Sequence, residues 1–172
     1  MACSNITAGV LNGCSSNQGG LDSIFIANGK VESFVEASGI VSSITVGGSA
    51  LVPADFFEFE VPRQTSSFTE TINVSNENGT VFYDQALTMI LNKMDAAKRD
   101  QILLLSQNNE MVVVFKDNNL KYFSVGIQRG AYMTAGTSVS GVAYGDRNGY
   151  ELTFSGMEEQ PAFEVTSTIV EA

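Results

Sequence analysis

Polar and apolar positions alternate along most of this chain, and the alternation breaks in one place. From Val81 to Met94 the residues Val81, Tyr83, Leu87, Met89 and Leu91 recur at period two, the mark of a long half-buried strand. At Asp95 the period changes. Asp95 suits a helix N-cap, Ala96, Ala97, Lys98 and Arg99 are strong helix formers, and Ile102, Leu103 and Leu105 supply an apolar stripe. The pattern predicts a helix over about 95–107, fading where Asn residues cluster from Ser106 to Asn109.

Strand patterns lie on both sides of that helix. Leu21 to Ala27 is a first strand, Asn28-Gly29 is a hairpin signal, and Val31 to Val35 is expected to return antiparallel. Ile40 to Val46 is another strand, closed by Gly47-Gly48. Ser66 to Ser75 alternates through Phe68, Glu70, Ile72 and Val74, and Asn78-Gly79 turns it into the long strand as a hairpin. After the helix, MVVVFKD (Met111 to Asp117) is apolar without alternation, as in a strand covered on both faces. Asn118-Asn119 turns it into LKYFSVG, and a small, polar segment from Gly130 to Gly145 is expected to be a mobile loop or to sit against a partner. Asn148-Gly149 opens a final pair, Tyr150 to Gly156 and Pro161 to Val170. The total is about ten strands and one helix, a mainly β chain of the sandwich or barrel type. Residues 1–20, rich in Gly and small polar side chains, are expected to form a flexible N-terminal arm ahead of a single domain over 21–172.

One stretch does not fit simple alternation. LVPADFFEFEVPRQ sets Phe56, Phe57 and Phe59 among Asp55, Glu58 and Glu60, between Pro53 and Pro62. Proline cannot donate to a ladder, so its presence beside a strand points to a sheet edge. The three rings are either a core strand or an anchor for another subunit, and Pro53, Phe56, Phe57, Phe59, Pro62 and Arg63 are the candidate self-assembly contact.

Composition narrows the function classes. A chain of 172 residues can bury about 70% of its unfolded surface in one core. Charged residues make up only 16%, against about 25% in ordinary soluble domains, which suggests either a Ser/Thr/Asn surface or one partly covered by partners. The net charge is −10, with nine acids against two bases in residues 1–86 and ten against seven in 87–172. No Lys/Arg cluster exists to bind nucleic acid through phosphates. No apolar run approaches the ~20 residues of a membrane span, and the N-terminus lacks the pattern of an export signal. With no His and only Cys3 and Cys14, His-based nucleophile pairs and His-ligated metals are excluded, and the thiols are expected to be incidental. Glu58/Glu60 and Glu158-Glu159 are the remaining acid pairs; adjacent strand residues face opposite ways, and an exposed i, i+2 pair is commonly just solvated. No enzyme, cofactor or metal is expected.

The order of elements carries a resemblance. A two-strand hairpin, a helix entered through NKMDAAKRDQILLLSQ, then MVVVFKDNNLKYFSVG and a close on YELTFSGMEEQPAFEV resembles bacteriophage virion proteins of the tail tube type, in particular small acidic ones from Bacteroidetes phages. The resemblance covers most of residues 20–170. It implies a β-sandwich or barrel flanked by a helix, assembling with itself as hexameric rings that stack into a tube with an acidic lumen for DNA. It also implies contact with other virion proteins, no specific nucleic-acid or membrane binding, and a place in the virion after assembly in the bacterial cytoplasm. The family's long stacking loop has no counterpart unless LVPADFFEFEVPRQTSS takes that place. The alternatives are a capsid decoration or head–tail joining protein, or a receptor- or carbohydrate-binding β-sandwich, the last weakened by the absence of Trp.

Overall fold

The structure, a computed structural model, describes residues 6–13 and 15–171; Cys3 and Cys14 lie outside them. Twelve strands and two helices follow the arm: β1 (Leu21–Asn28), β2 (Val31–Ala37), β3 (Ile40–Val46), β4 (Ser49–Ala50), β5 (Phe57–Glu60), β6 (Ser67–Ser75), β7 (Thr80–Asn92), α1 (Ala96–Gln107), β8 (Met111–Asp117), β9 (Tyr122–Val125), β10 (Tyr132–Val139), β11 (Gly149–Glu158), β12 (Glu164–Val165) and α2 (Ser167–Val170). They form a large sheet of order β2-β3-β12-β9-β8-β1-β5, with β4 on β3, and a small antiparallel sheet of order β10-β11-β7-β6. The chain is a mainly β sandwich, as its alternation predicts.

The strongest local signals hold. β6 and β7 pair in register from Ser67↔Thr88 to Ser75↔Thr80, across a turn of residues 76–79. Gly79 there has φ +63°, a conformation costly for residues with a Cβ. The Asp95 carboxylate caps α1 by accepting the Lys98 backbone N–H at 2.8 Å. Between β8 and β9, Asp117 Oδ1 accepts the N–H groups of Asn119 and Lys121, an Asx turn that lets Leu120 take φ +62°.

The two faces of the large sheet enclose different cores. Ile24, Ile26, Val113 and Phe115 pack on Leu87, Met89, Leu152 and Phe154 of the small sheet, with Leu105 of α1 closing one side. On the opposite face Phe25, Ala27, Val112 and Val114 meet Val41, Ile44, Phe56, Phe163, Ile169 and Val170. So β8 is buried on both faces, and β1 nearly so.

Asn28-Gly29 does not make a hairpin. β1 pairs with β5 and β8, whereas β2 pairs with β3, four strands away in the sheet order. Only Gly29 and Lys30 separate β1 from β2, so their ends lie within about 11 Å. A flat sheet would place them more than ~20 Å apart at 4.8 Å per strand. The large sheet therefore curls until β2 returns to β1, and the second core fills the curl. Gly29 (φ +114°) is the corner; a Cβ there would lie 2.5 Å from Val46 Cγ1.

Three further expectations are corrected. Residues Tyr132–Val139, within the segment expected to be a loop, form edge strand β10. Their small polar side chains suit a surface strand, which needs no apolar face to pair. The final two strands are not a pair: β11 lies in the small sheet and β12 joins the large one, parallel to β3 and antiparallel to β9. On α1 the buried side is Leu105 with Ile102, and Leu103 is 47% exposed, because positions three apart share a face and adjacent ones do not.

Where the sheets touch, there is room only for glycine. A Cβ on Gly156 of β11 would sit 2.8 Å from the Gly126 Cα, and one on Gly126 (φ +68°) 2.5 Å from the Ala131 nitrogen. Gly156→Ala should lower stability by about 1–3 kcal/mol or more through overpacking against backbone, read in a denaturant melt. Leu105→Ala should cost about 2–5 kcal/mol, whereas Leu103→Ala should leave the melt within a few tenths.

Candidate functional site

Alternation on β6 and β7 carries the argument from core to surface. Residues Gln85, Leu87, Met89 and Leu91 face the core and are buried. Toward the hairpin tip the same face continues through Tyr83 and Val81, opposite Ile72 and Val74 of β6. The large sheet no longer covers it. Ile72, Val74 and Val81 are 60%, 63% and 53% exposed. The hairpin thus projects past the sandwich with an apolar cross-strand cluster facing solvent, the kind of patch that marks a contact surface.

The other face of the small sheet points away from the large sheet and is mixed: its register places Phe82, Ile90, Tyr132, Val139 and Met157 there, Ile90 buried and the rest partly exposed, among a majority of polar side chains. Thr69, Thr71 and Asn73 of β6, Asp84 and Thr88 of β7, Glu151, Thr153 and Ser155 of β11 and Thr137 of β10 point away from the core by register. The four strands contain Glu70, Asp84, Glu151 and Glu158 and none of the nine Lys and Arg residues of the chain. Among the described residues, both outer strands, β6 and β10, have a strand on one side only. An unpaired edge is a row of free N–H and C=O groups able to accept another strand.

The candidate contact read from the phenylalanine stretch is divided by the fold. Pro53–Asp55 form a single 3-10 turn and Phe57–Glu60 form β5, at the edge of the large sheet against β1, as prolines beside a strand imply. Phe56 is buried in the second core, Phe59 packs half-buried on the first, and Phe57 is 59% exposed. Pro53 and Pro62 are half-buried and Arg63 is exposed. Phe57 and Phe59, two apart, share the face of β5 that looks toward the first core, while Phe56 just before the strand turns to the second; the first core covers Phe59 and not Phe57.

The acid pairs have structural surroundings. Glu58 and Glu60 are exposed along β5. Glu158 is buried, and its two carboxylate oxygens accept the backbone N–H groups of Gln128 and Arg129, both at 3.0 Å. Glu159 pairs with Arg129 at the surface. Burial pushes the Glu158 carboxyl above the usual range, against the opposing pull of the Arg129 and Gln128 N–H groups. A second set joins the sheets: the buried Gly126 N–H donates to Gln85 Oε1 at 3.0 Å, and Gln85 Nε2 and the Ala162 N–H both donate to Glu70 in partly buried bonds. Sequence reading missed Gln85, whose signal was a polar residue on the apolar face of β7. Among the described residues no three His, Cys, Asp or Glu side chains group as metal ligands, and no helix is long and apolar enough to cross a membrane.

No family model matches the chain, and no curated protein or solved structure is significantly similar to it.

Glu158→Ala removes the acceptor of two partly buried N–H groups and should cost about 1–3 kcal/mol. A carboxyl whose folded pKa is raised supplies stability that is present below its unfolded pKa and lost as pH rises through its folded value. The stability of wild type relative to Glu158→Gln should therefore fall as pH climbs from the ordinary carboxylate range to above it, measured by urea melts across that window. A constant difference would mean that Glu158 does not titrate differently on folding.

Proposed function

We propose that this protein is a virion structural subunit of the tail tube type, closing into hexameric rings that stack, with the open face of the small sheet toward the channel. One observation carries the reading. Among the described residues the small sheet has two free edges, a face that points away from the large sheet, and strands that contain acids and no bases.

Free edges on both sides of one sheet suit a head-to-tail interface. β6 of one copy can continue into β10 of the next, and such a heterologous contact generates a ring when its rotation closes. Each interface must bury about 1,200 Å² or more in total to be specific, which edge pairing alone does not reach. The uncovered Ile72, Val74 and Val81 at the hairpin tip and the exposed Phe57 supply the additional apolar area, between neighbours in a ring or between rings.

The charge pattern fits passage of DNA. A wall bearing Lys or Arg would exchange counterions with phosphates and hold the DNA, whereas a mostly polar face carrying Asp84 and Glu151 does not. Arg147, just before β11, is paired with Glu151 at 2.7 Å. Crowding acidic subunits into a ring costs repulsion, screened within ~8 Å at physiological salt.

Sedimentation velocity should show assembly increasing from about 10 to 150 mM salt, with no DNA binding even at the low end. Thr88→Lys with Thr153→Lys places a cross-strand pair of cations on the outer face. That variant should acquire DNA binding that weakens steeply with salt. DNA binding by the wild-type protein, or assembly that falls with salt, would contradict the reading.

A further inference from the structure

Two features remain without a partner, and they are complementary. The first is the arm. Among the described residues of the arm, Ile6, Val10 and Leu11 are 96%, 97% and 93% exposed. The second is a groove of about 750 Å³ between β5 and α1, lined by Glu58 to Pro62, Leu91, Lys98 and Ile102. Its volume is that of a small-ligand pocket. One wall is the outer side of β5, an edge strand that among the described residues pairs with β1 alone.

We infer that the groove receives residues 6–13 of a second copy as an added β-strand on β5. Extended at period two, Ile6, Ala8 and Val10 fall on one face, able to meet Phe59, Leu91 and Ile102 while the backbone completes the open edge. Charge selects this occupant over a second β5. Pairing β5 with itself would set Glu58 and Glu60 against like carboxylates, whereas residues 6–13 carry no charge. Asn118 and Asn119 tie the arm's root through Gly19 O, Gln18 O and Asn17 Oδ1, which leaves residues 14–16, about 10 Å of extended chain, between that root and the inserted strand. The strand addition uses β5, not the small sheet, so it does not depend on the ring reading.

Disulfide trapping tests it in the full chain, with Cys3 and Cys14 changed to Ser. Val10→Cys and Gln101→Cys, an exposed position on the α1 wall, are placed in separate chains and mixed under mild oxidation. The expected result is a covalent Val10→Cys/Gln101→Cys heterodimer, reduced at least tenfold when Ile6→Asp accompanies Val10→Cys. No heterodimer, or one that Ile6→Asp leaves unchanged, overturns the proposal. A chain carrying both cysteines that links only within itself at every concentration also overturns it, because the arm would then serve its own groove. Trapping in a protein that sediments as a species too small for a closed ring at every salt supports the strand exchange and contradicts the ring.

Discussion

The fold depends on two adjacent strands that are apolar on both faces. β1 presents Ile24 and Ile26 to one core and Phe25 and Ala27 to the other; β8 does the same with Val113 and Phe115 against Val112 and Val114. Neither face can be left in water, so the chain must cover this wall twice. One cover is the small sheet with α1. The other is the curl of the large sheet itself, closed by Phe56 from the turn before β5 and by Ile169 and Val170 of α2. The Asn28-Gly29 corner follows from that need, because the second core exists only if β2 comes back across β1.

Polar groups then set how the sheets sit. Gln85 lies in an otherwise apolar row of β7, and its amide bridges Gly126 beyond β9 to Glu70 of β6. Glu70 and Glu158 also hold the N–H groups of Ala162, between β11 and β12, and of Gln128 and Arg129, between β9 and β10. The Gly126–Gln85 bond is buried and the others are partly so, where an unmade bond is costly, so the network favours one docking of the sheets. That docking covers the inner half of the β6–β7 hairpin and leaves its tip and outer face free.

The sequence was legible where a strand's partner is its neighbour or where its burial is complete. β6–β7, α1 with its Asp95 cap and β8 could be read from local alternation, a capping residue and an unbroken apolar run. The Asn28-Gly29 corner could not, because the same dipeptide serves a hairpin or a turn into another part of the sheet, and distant pairing decides between them. β10 escaped notice because an edge strand facing solvent can be built from Thr, Ser, Gly and Ala. Pro161 to Val170 reads as one strand, but only Glu164–Val165 pair, in the large sheet, and Ser167–Val170 turn into α2. Of the phenylalanine stretch, the edge position was legible from its prolines, but the division of Phe56, Phe57 and Phe59 among two cores and solvent follows from where the strand ends.

A ring built on the small sheet makes the free edges, the acidic outer face and the uncovered tip parts of one device: edges join, the face lines, the tip packs. Its central claim is that β6 of one copy continues into β10 of the next. Cryo-electron microscopy of the assembled protein at moderate salt tests this most directly. The account predicts closed rings whose inner wall is one continuous β-barrel, four strands per subunit, with Thr88 and Thr153 toward the hole. Rings joined through other surfaces, or particles that remain monomeric at every salt and concentration, would contradict it.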